Sequence, residues 1–203
     1  VSDTYYACRE PVYNRGTPPD SFLDALIDWA KTAPDEIFAP NVVVLEIFTV
    51  IKPALATPTR EDASGTPVFH WDNLLQRKAA LLEAMRVHAG MESSWNWNEG
   101  VDYTNRTSMQ HVTGQETGIF QVSFDSTYLA GGAMIPFANE HGIDHPWAFI
   151  AKMKTDHALA LGYYARLVRF SIAWAGPLLR HGEDSIYPWL RRAAVAEFIG
   201  FLA

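Results

Sequence analysis

The stretch from Asp72 to Gly90 limits the fold more than any other part of the chain, because its pattern fits a helix and little else. Leu74, Leu75, Lys78, Leu81, Leu82 and Met85 recur at helical spacing as an apolar stripe, with Arg77 and Glu83 off it. Asp72 suits the N-cap, since its carboxylate accepts a backbone N–H of the first turn. Gly90 reads as the terminator. The segment Met91-Glu92-Ser93-Ser94-Trp95-Asn96-Trp97 then sets Glu92 at the helix exit, beside two tryptophans. A carboxyl group held against apolar rings resists ionisation, because burial disfavours its charged form. A Glu that keeps and delivers a proton is what cleavage of a glycosidic bond requires.

The rest of the pattern is also mainly helical. Residues 1–19, rich in Tyr, Pro, Gly and Arg, read as an extended arm packed on the body. Asp20 or Ser21 caps a helix carrying Phe22, Leu23, Leu26, Ile27 and Trp29, limited by Pro34. Residues 41–51 fit a buried helix or a strand equally. Residues 52–70, with Pro53, Pro58, Gly65 and Pro67, are the most loop-like part. They separate an N-terminal extension, 1–70, from a motif-bearing domain, 71–203, the two expected to pack as one unit. Residues 96–115 turn polar, as expected of an excursion lining a cleft. Pro146 opens a helix expected to reach about Ser171, and a last helix is expected over roughly 185–201, marked by Trp189, Leu190, Ala193, Val195 and Phe198.

Gly118-Ile119-Phe120-Gln121 follows Glu92 by 26 residues, in a stretch from Gly118 to Ser123 that reads as a short, glycine-hinged strand. Together the two segments resemble the lysozyme-like superfamily, in particular lytic transglycosylases and goose-type lysozymes. Those proteins carry Glu-Ser-x-aromatic after a helix, then Gly-aliphatic-Met/Phe-Gln on a small hairpin. Here Phe120 stands where Met is usual. A fainter match is Asp156 to Ala165, which resembles the Asn-Ile-x-x-Gly-x-x-Tyr-Leu helix of the transglycosylases, with Asp156 and Ala160 departing from Asn and Gly. The resemblance covers about residues 72–170. It implies a mainly α, α+β lysozyme-like fold, with a β-hairpin next to the catalytic Glu.

The resemblance makes Glu92 the general acid, protonating the leaving glycosidic oxygen. Ser93 matches the motif serine and Trp95 the aromatic position. Trp95 and Trp97 are candidates for the floor of a sugar subsite, although core packing is the commoner fate of Trp. Gln121 offers donor and acceptor atoms to a sugar amide or hydroxyl. Tyr163 falls on the motif tyrosine, and it or Tyr164 is expected to approach Glu92 from the opposite wall. Hydrolysis needs a second carboxylate, for which Glu116 and Asp102 lead over Glu99 and Asp125. Lytic transglycosylases use the substrate's own 6-hydroxyl instead.

The expected substrate is a β-1,4-linked, N-acetylated polysaccharide, peptidoglycan before chitin or chitosan. The net charge of −7 suits a cationic glycan such as chitosan and argues against nucleic acid, whose phosphates need Lys and Arg. A glycan-binding module without chemistry is an alternative. So is a toxic effector domain neutralised by a protein inhibitor. No cofactor is implied. His111, His141, His145, His157 and His181 form no metal-ligand pattern. No run reaches the roughly 18 apolar residues of a membrane span. The chain opens on Val1 rather than Met, as it would after removal of a leader, and a periplasmic or extracellular location is the expectation.

Overall fold

In the computed structural model the helix that opens at Leu74 forms the axis of the molecule, and it runs to Ser93. The structure describes residues 5–40, 45–56, 71–101 and 111–203. The helices are α1 Asp20–Thr32, α2 Ile47–Ala56, α3 Leu74–Ser93, α4 Ile135–Glu140, α5 Pro146–Thr155, α6 His157–Phe170, α7 Gly176–Leu179 and α8 Arg192–Leu202, besides a short kinked turn of helix at Leu129–Gly132. The fold is mainly helical. Among the described residues its β content is one antiparallel bridge, Thr117–Val122, rather than a hairpin of strands. No described helix is long and apolar enough to cross a membrane.

Helix α3 is not amphipathic. Every residue from Ala79 to Met91 is buried, a run long enough to cover the helix on all sides. Alanines at 79, 80, 84 and 89 keep its surface thin, so α1, α2, α7 and α8 all pack directly on it. The cap is Asn73, whose side chain accepts from Gln76 N at 3.1 Å, rather than Asp72. Gly90 lies inside the helix instead of ending it. A Cβ there would stand 2.6 Å from Trp95 Cζ2, so the glycine is what lets the indole lie against the helix.

Two buried ion pairs hold the helices in register. Glu83 and Arg86, both fully buried, form a two-pronged bond at 2.6 and 2.8 Å. Arg86 also donates to Glu10 O at 2.9 Å, and Glu83 accepts from Arg191 N at 2.8 Å. The N-terminal arm, α3 and the start of α8 therefore share one polar node. Burial is the largest influence on Arg86 and pushes its pKa down, but the charge and hydrogen bonds of Glu83 hold it above its ordinary value. On the other side Arg169 of α6 pairs with Glu46 at 2.8 Å and donates to the carbonyls of Ile37 and Ala39.

The first 70 residues are not a separate layer where they are described. Cys8, Phe38 and Ile51 belong to the same apolar core as Leu82, Tyr164 and Phe198. Glu197 of α8 accepts from the backbone of Tyr6 and Cys8, at 2.6 and 2.8 Å, and fixes the arm. The loop expected over 52–70 starts inside α2, with Pro53 in that helix. The remainder of that loop, 57–70, lies outside the described residues. The single helix expected from Pro146 is two, because Asp156 breaks it and caps α6 through Leu159 N at 3.0 Å. The C-terminal helix starts at Arg192, after a 3₁₀ turn over Tyr187–Trp189.

Candidate active site

Glu92 sits in the last turn of α3, and the chain leaves that helix through an unusual corner. Ser94 and Trp95 both have left-handed backbones, with φ of 54° and 60°. A non-glycine residue rarely adopts this region, and two in succession need strong compensation. Ser94 N bonds Gly90 O at 3.0 Å, and Trp95 Nε1 donates to Arg86 O at 2.9 Å. The corner turns the indole back under the helix and leaves the Glu92 side chain pointing outward, 24% exposed.

The Gly118–Gln121 turn meets this corner. Gly118 has φ +70°, and a Cβ would stand 2.9 Å from Met153 O, so only glycine fits. Gly118 N donates to Glu99 O at 2.9 Å. Ser93 Oγ donates to Ile119 O at 2.8 Å and accepts from Asn96 N at 3.2 Å, which welds the helix end to the turn. Gln121 is itself left-handed, with φ 47°, and its Nε2 donates to Gly118 O at 2.9 Å.

A cleft of about 780 Å³ opens over these pieces, a size typical of small-molecule sites. Its lining includes Glu92, Glu99, Glu116 and Gln121, together with Tyr13, Arg15, Trp174, Gly176, Arg180 and Asp184. Glu99 is oriented by Asn96, whose Nδ2 donates to Oε2 at 2.9 Å. Among the described residues no cluster of three or more His, Cys, Asp or Glu side chains is arranged to hold a metal ion.

The structure thus brings together Glu92, Glu116 and Gln121 of the expected site. Asp102 lies outside the described residues, and exposed Asp125 is absent from the cleft lining. The aromatic assignments need correction. Trp95 is 4% exposed and belongs to the core, because its indole closes the helix end. Trp97 stacks on His157, with ring centroids 3.8 Å apart and planes at 7°, outside the cleft. Tyr163 is fully buried and bonds Ser126 Oγ at 2.7 Å. Ser93 is buried and serves the backbone, so it is no substrate contact. Tyr164, also fully buried, lies behind Glu92 rather than opposite it. Its ring stacks on Phe120 at 3.8 Å, and its Oη is 2.5 Å from His88 Nδ1.

His88, absent from the sequence-based site, is the link. It is fully buried, one helical turn before Glu92, and its Nε2 stands 3.2 Å from Glu92 Oε1. The contact is near but off the N–H axis, since Nε2 makes no well-aligned hydrogen bond. Burial, followed by the charge of Glu92, holds the Tyr164 phenol well above its ordinary pKa. The i,i+4 spacing of His88 and Glu92 is the one sequence signal that could have found this pair. Trp174, the indole that does line the cleft, has no such local signal. No protein-family model, curated protein or solved structure matches the chain.

Proposed function

We propose that this protein is a glycosidase acting on a β-1,4-linked, N-acetylated polysaccharide, with Glu92 as general acid and a lysozyme-like site. One observation carries the reading: the helix-end carboxylate opens into a cleft that it shares with Glu116 and with Gln121 of the glycine turn. In the proposed reaction Glu92 gives its proton to the glycosidic oxygen as the C1–O bond breaks. Glu116 or Glu99 then activates the water that attacks C1, or the substrate's own 6-hydroxyl attacks and returns its proton to Glu92. Gln121 has the amide needed to hold a sugar N-acetyl group, and the face of Trp174 suits a pyranose ring. Peptidoglycan is the first substrate to test, with fragments from wild type and Glu92→Gln compared by mass spectrometry. Anhydro ends indicate transglycosylation and reducing ends hydrolysis; fragments undiminished in Glu92→Gln refute the reading.

A second substrate has an observation in its favour. The cleft carries the carboxylates of Glu92, Glu99, Glu116 and Asp184 against the guanidinium groups of Arg15 and Arg180. That surplus favours a cationic glycan, since a field of one sign raises the local concentration of the opposite charge. Turnover of soluble chitosan without turnover of sacculi selects it.

A further inference from the structure

Two buried groups behind Glu92 have no part in the reaction as written above, yet they lead straight to it. His88 is fully buried, its Nδ1 is 2.5 Å from Tyr164 Oη, and its Nε2 is 3.2 Å from Glu92 Oε1. Which ring nitrogen carries the proton follows from polar accounting. Suppose Nδ1 donated to Tyr164. The phenol hydrogen would then lack an acceptor in a fully buried site. That loss vanishes when Tyr164 donates to Nδ1, which leaves the ring proton on Nε2, 3.2 Å from Glu92 Oε1. The phenol keeps its proton, as burial and the Glu92 charge both disfavour phenolate. Among the described residues, the rings of Phe120 and Trp174 also lie near the imidazole, with centroids at 6.4 Å in each case.

Resting on the glycosidase reading, we infer that His88 is the positioning residue of Glu92: Tyr164 fixes its tautomer, and its Nε2–H orients the carboxylate and holds it after proton delivery. The 3.2 Å contact is poorly aligned in the free protein. Such contacts commonly tighten only when the reacting complex forms. The bond therefore gains most at the moment Glu92 becomes an anion, so its effect falls on turnover rather than on substrate binding.

Isosteric replacement separates this role from packing. The amide nitrogen of Gln falls near the Nε2 position, whereas the side-chain polar atoms of Asn reach only the Nδ1 side. On the substrate that wild type cleaves, His88→Asn lowers kcat by about 10- to 100-fold with KM little changed. His88→Gln recovers a large part of that loss. A purely structural tie to Tyr164 reverses this order, with Asn the better replacement, and overturns the inference. A second measurement needs no substrate. Long-range ¹H–¹⁵N spectra of the full chain, with His88 assigned by its loss in His88→Gln, are expected to show the proton on Nε2. A proton on Nδ1 overturns the inference whatever the enzyme cleaves. Inactive Glu92→Gln beside fully active His88→Asn defeats this inference alone. Active Glu92→Gln defeats the glycosidase reading and the positioning role with it.

Discussion

Replacing Gly90 with alanine tests the corner that aims Glu92. In an ordinary helix interior this change stabilises by about 0.8–1.0 kcal/mol, the difference in helix propensity. Here the new methyl stands 2.6 Å from Trp95 Cζ2 and 3.0 Å from Cε2, about 1 Å inside the usual carbon–carbon separation. The indole cannot swing away freely: it is 4% exposed and tied to Arg86 O at 2.9 Å. Overpacking of this kind costs about 1–3 kcal/mol, and loss of the indole hydrogen bond adds about 1. The net destabilisation is about 1–3 kcal/mol, a fall in Tm of roughly 3–10 °C for a chain of this size. The companion variant Trp95→Leu removes every atom that meets the methyl. In that background Gly90→Ala is expected to stabilise by about 1 kcal/mol, giving a coupling energy of about 2–4 kcal/mol. Chemical denaturation of the four proteins completes the cycle. Equal effects of Gly90→Ala in both backgrounds would mean that the glycine serves as a terminator, and the packing argument fails.

Breaking the Glu83–Arg86 node by Arg86→Met strands a buried carboxylate and is expected to cost about 3–5 kcal/mol, while the double variant with Glu83→Leu recovers much of it; denaturation midpoints decide. Ser93→Ala removes the bond to Ile119 O and is expected to cost about 1–2 kcal/mol while leaving KM near the wild-type value, where a substrate-contacting serine would raise KM instead. His157 is pulled below its ordinary pKa of 6.5, first by burial, against the opposing pulls of Asp156 and the Lys154 carbonyl. Its neutral form therefore stabilises the fold above pH 6.5, and that contribution is lost as pH falls through the lowered value. His157→Phe keeps the stack on Trp97 and is expected to flatten the acid side of the Tm–pH curve; an unchanged slope refutes it.

Much of the helical content was legible because local rules and burial agree there. Phe22, Leu23, Leu26 and Ile27 face the core as their spacing predicts, and Pro34 does limit α1. The rules mislead where tertiary packing supplies what a local signal usually supplies. Gly90 looks like a stop, yet the space it vacates is filled by an indole five residues later. Gly118 to Ser123 looks like a strand, but left-handed residues at Gly118 and Gln121 make a tight turn closed by the Thr117–Val122 bridge. Trp95 fits an aromatic subsite by type, and only the left-handed corner shows that it turns inward.

The site shows the same limit from another direction. Glu83, Arg86, His88 and Glu92 lie on one helix, and at 100° per residue they fall into two groups. Glu83 and Arg86 share a face toward the arm and the start of α8, while His88 and Glu92 share a face on the far side. The first pair is closed by neighbours that engage all three nitrogens of the guanidinium, so it fixes the register of three segments. The second is open at one end: Tyr164 takes Nδ1, the imidazole spans the core, and Glu92 emerges into the cleft. A buried charge is costly unless paired, so Glu83 and Arg86 demand each other, whereas His88 and Glu92 meet at 3.2 Å beside the cleft. Spacing alone groups them as i,i+3 and i,i+4. What spacing lacks is the third member, since Tyr164 lies 76 residues beyond His88 and only the packing of α6 on the helix end brings it there. The closed pair ties the helix to the arm and to the start of α8, and the open pair carries the same helix to the cleft.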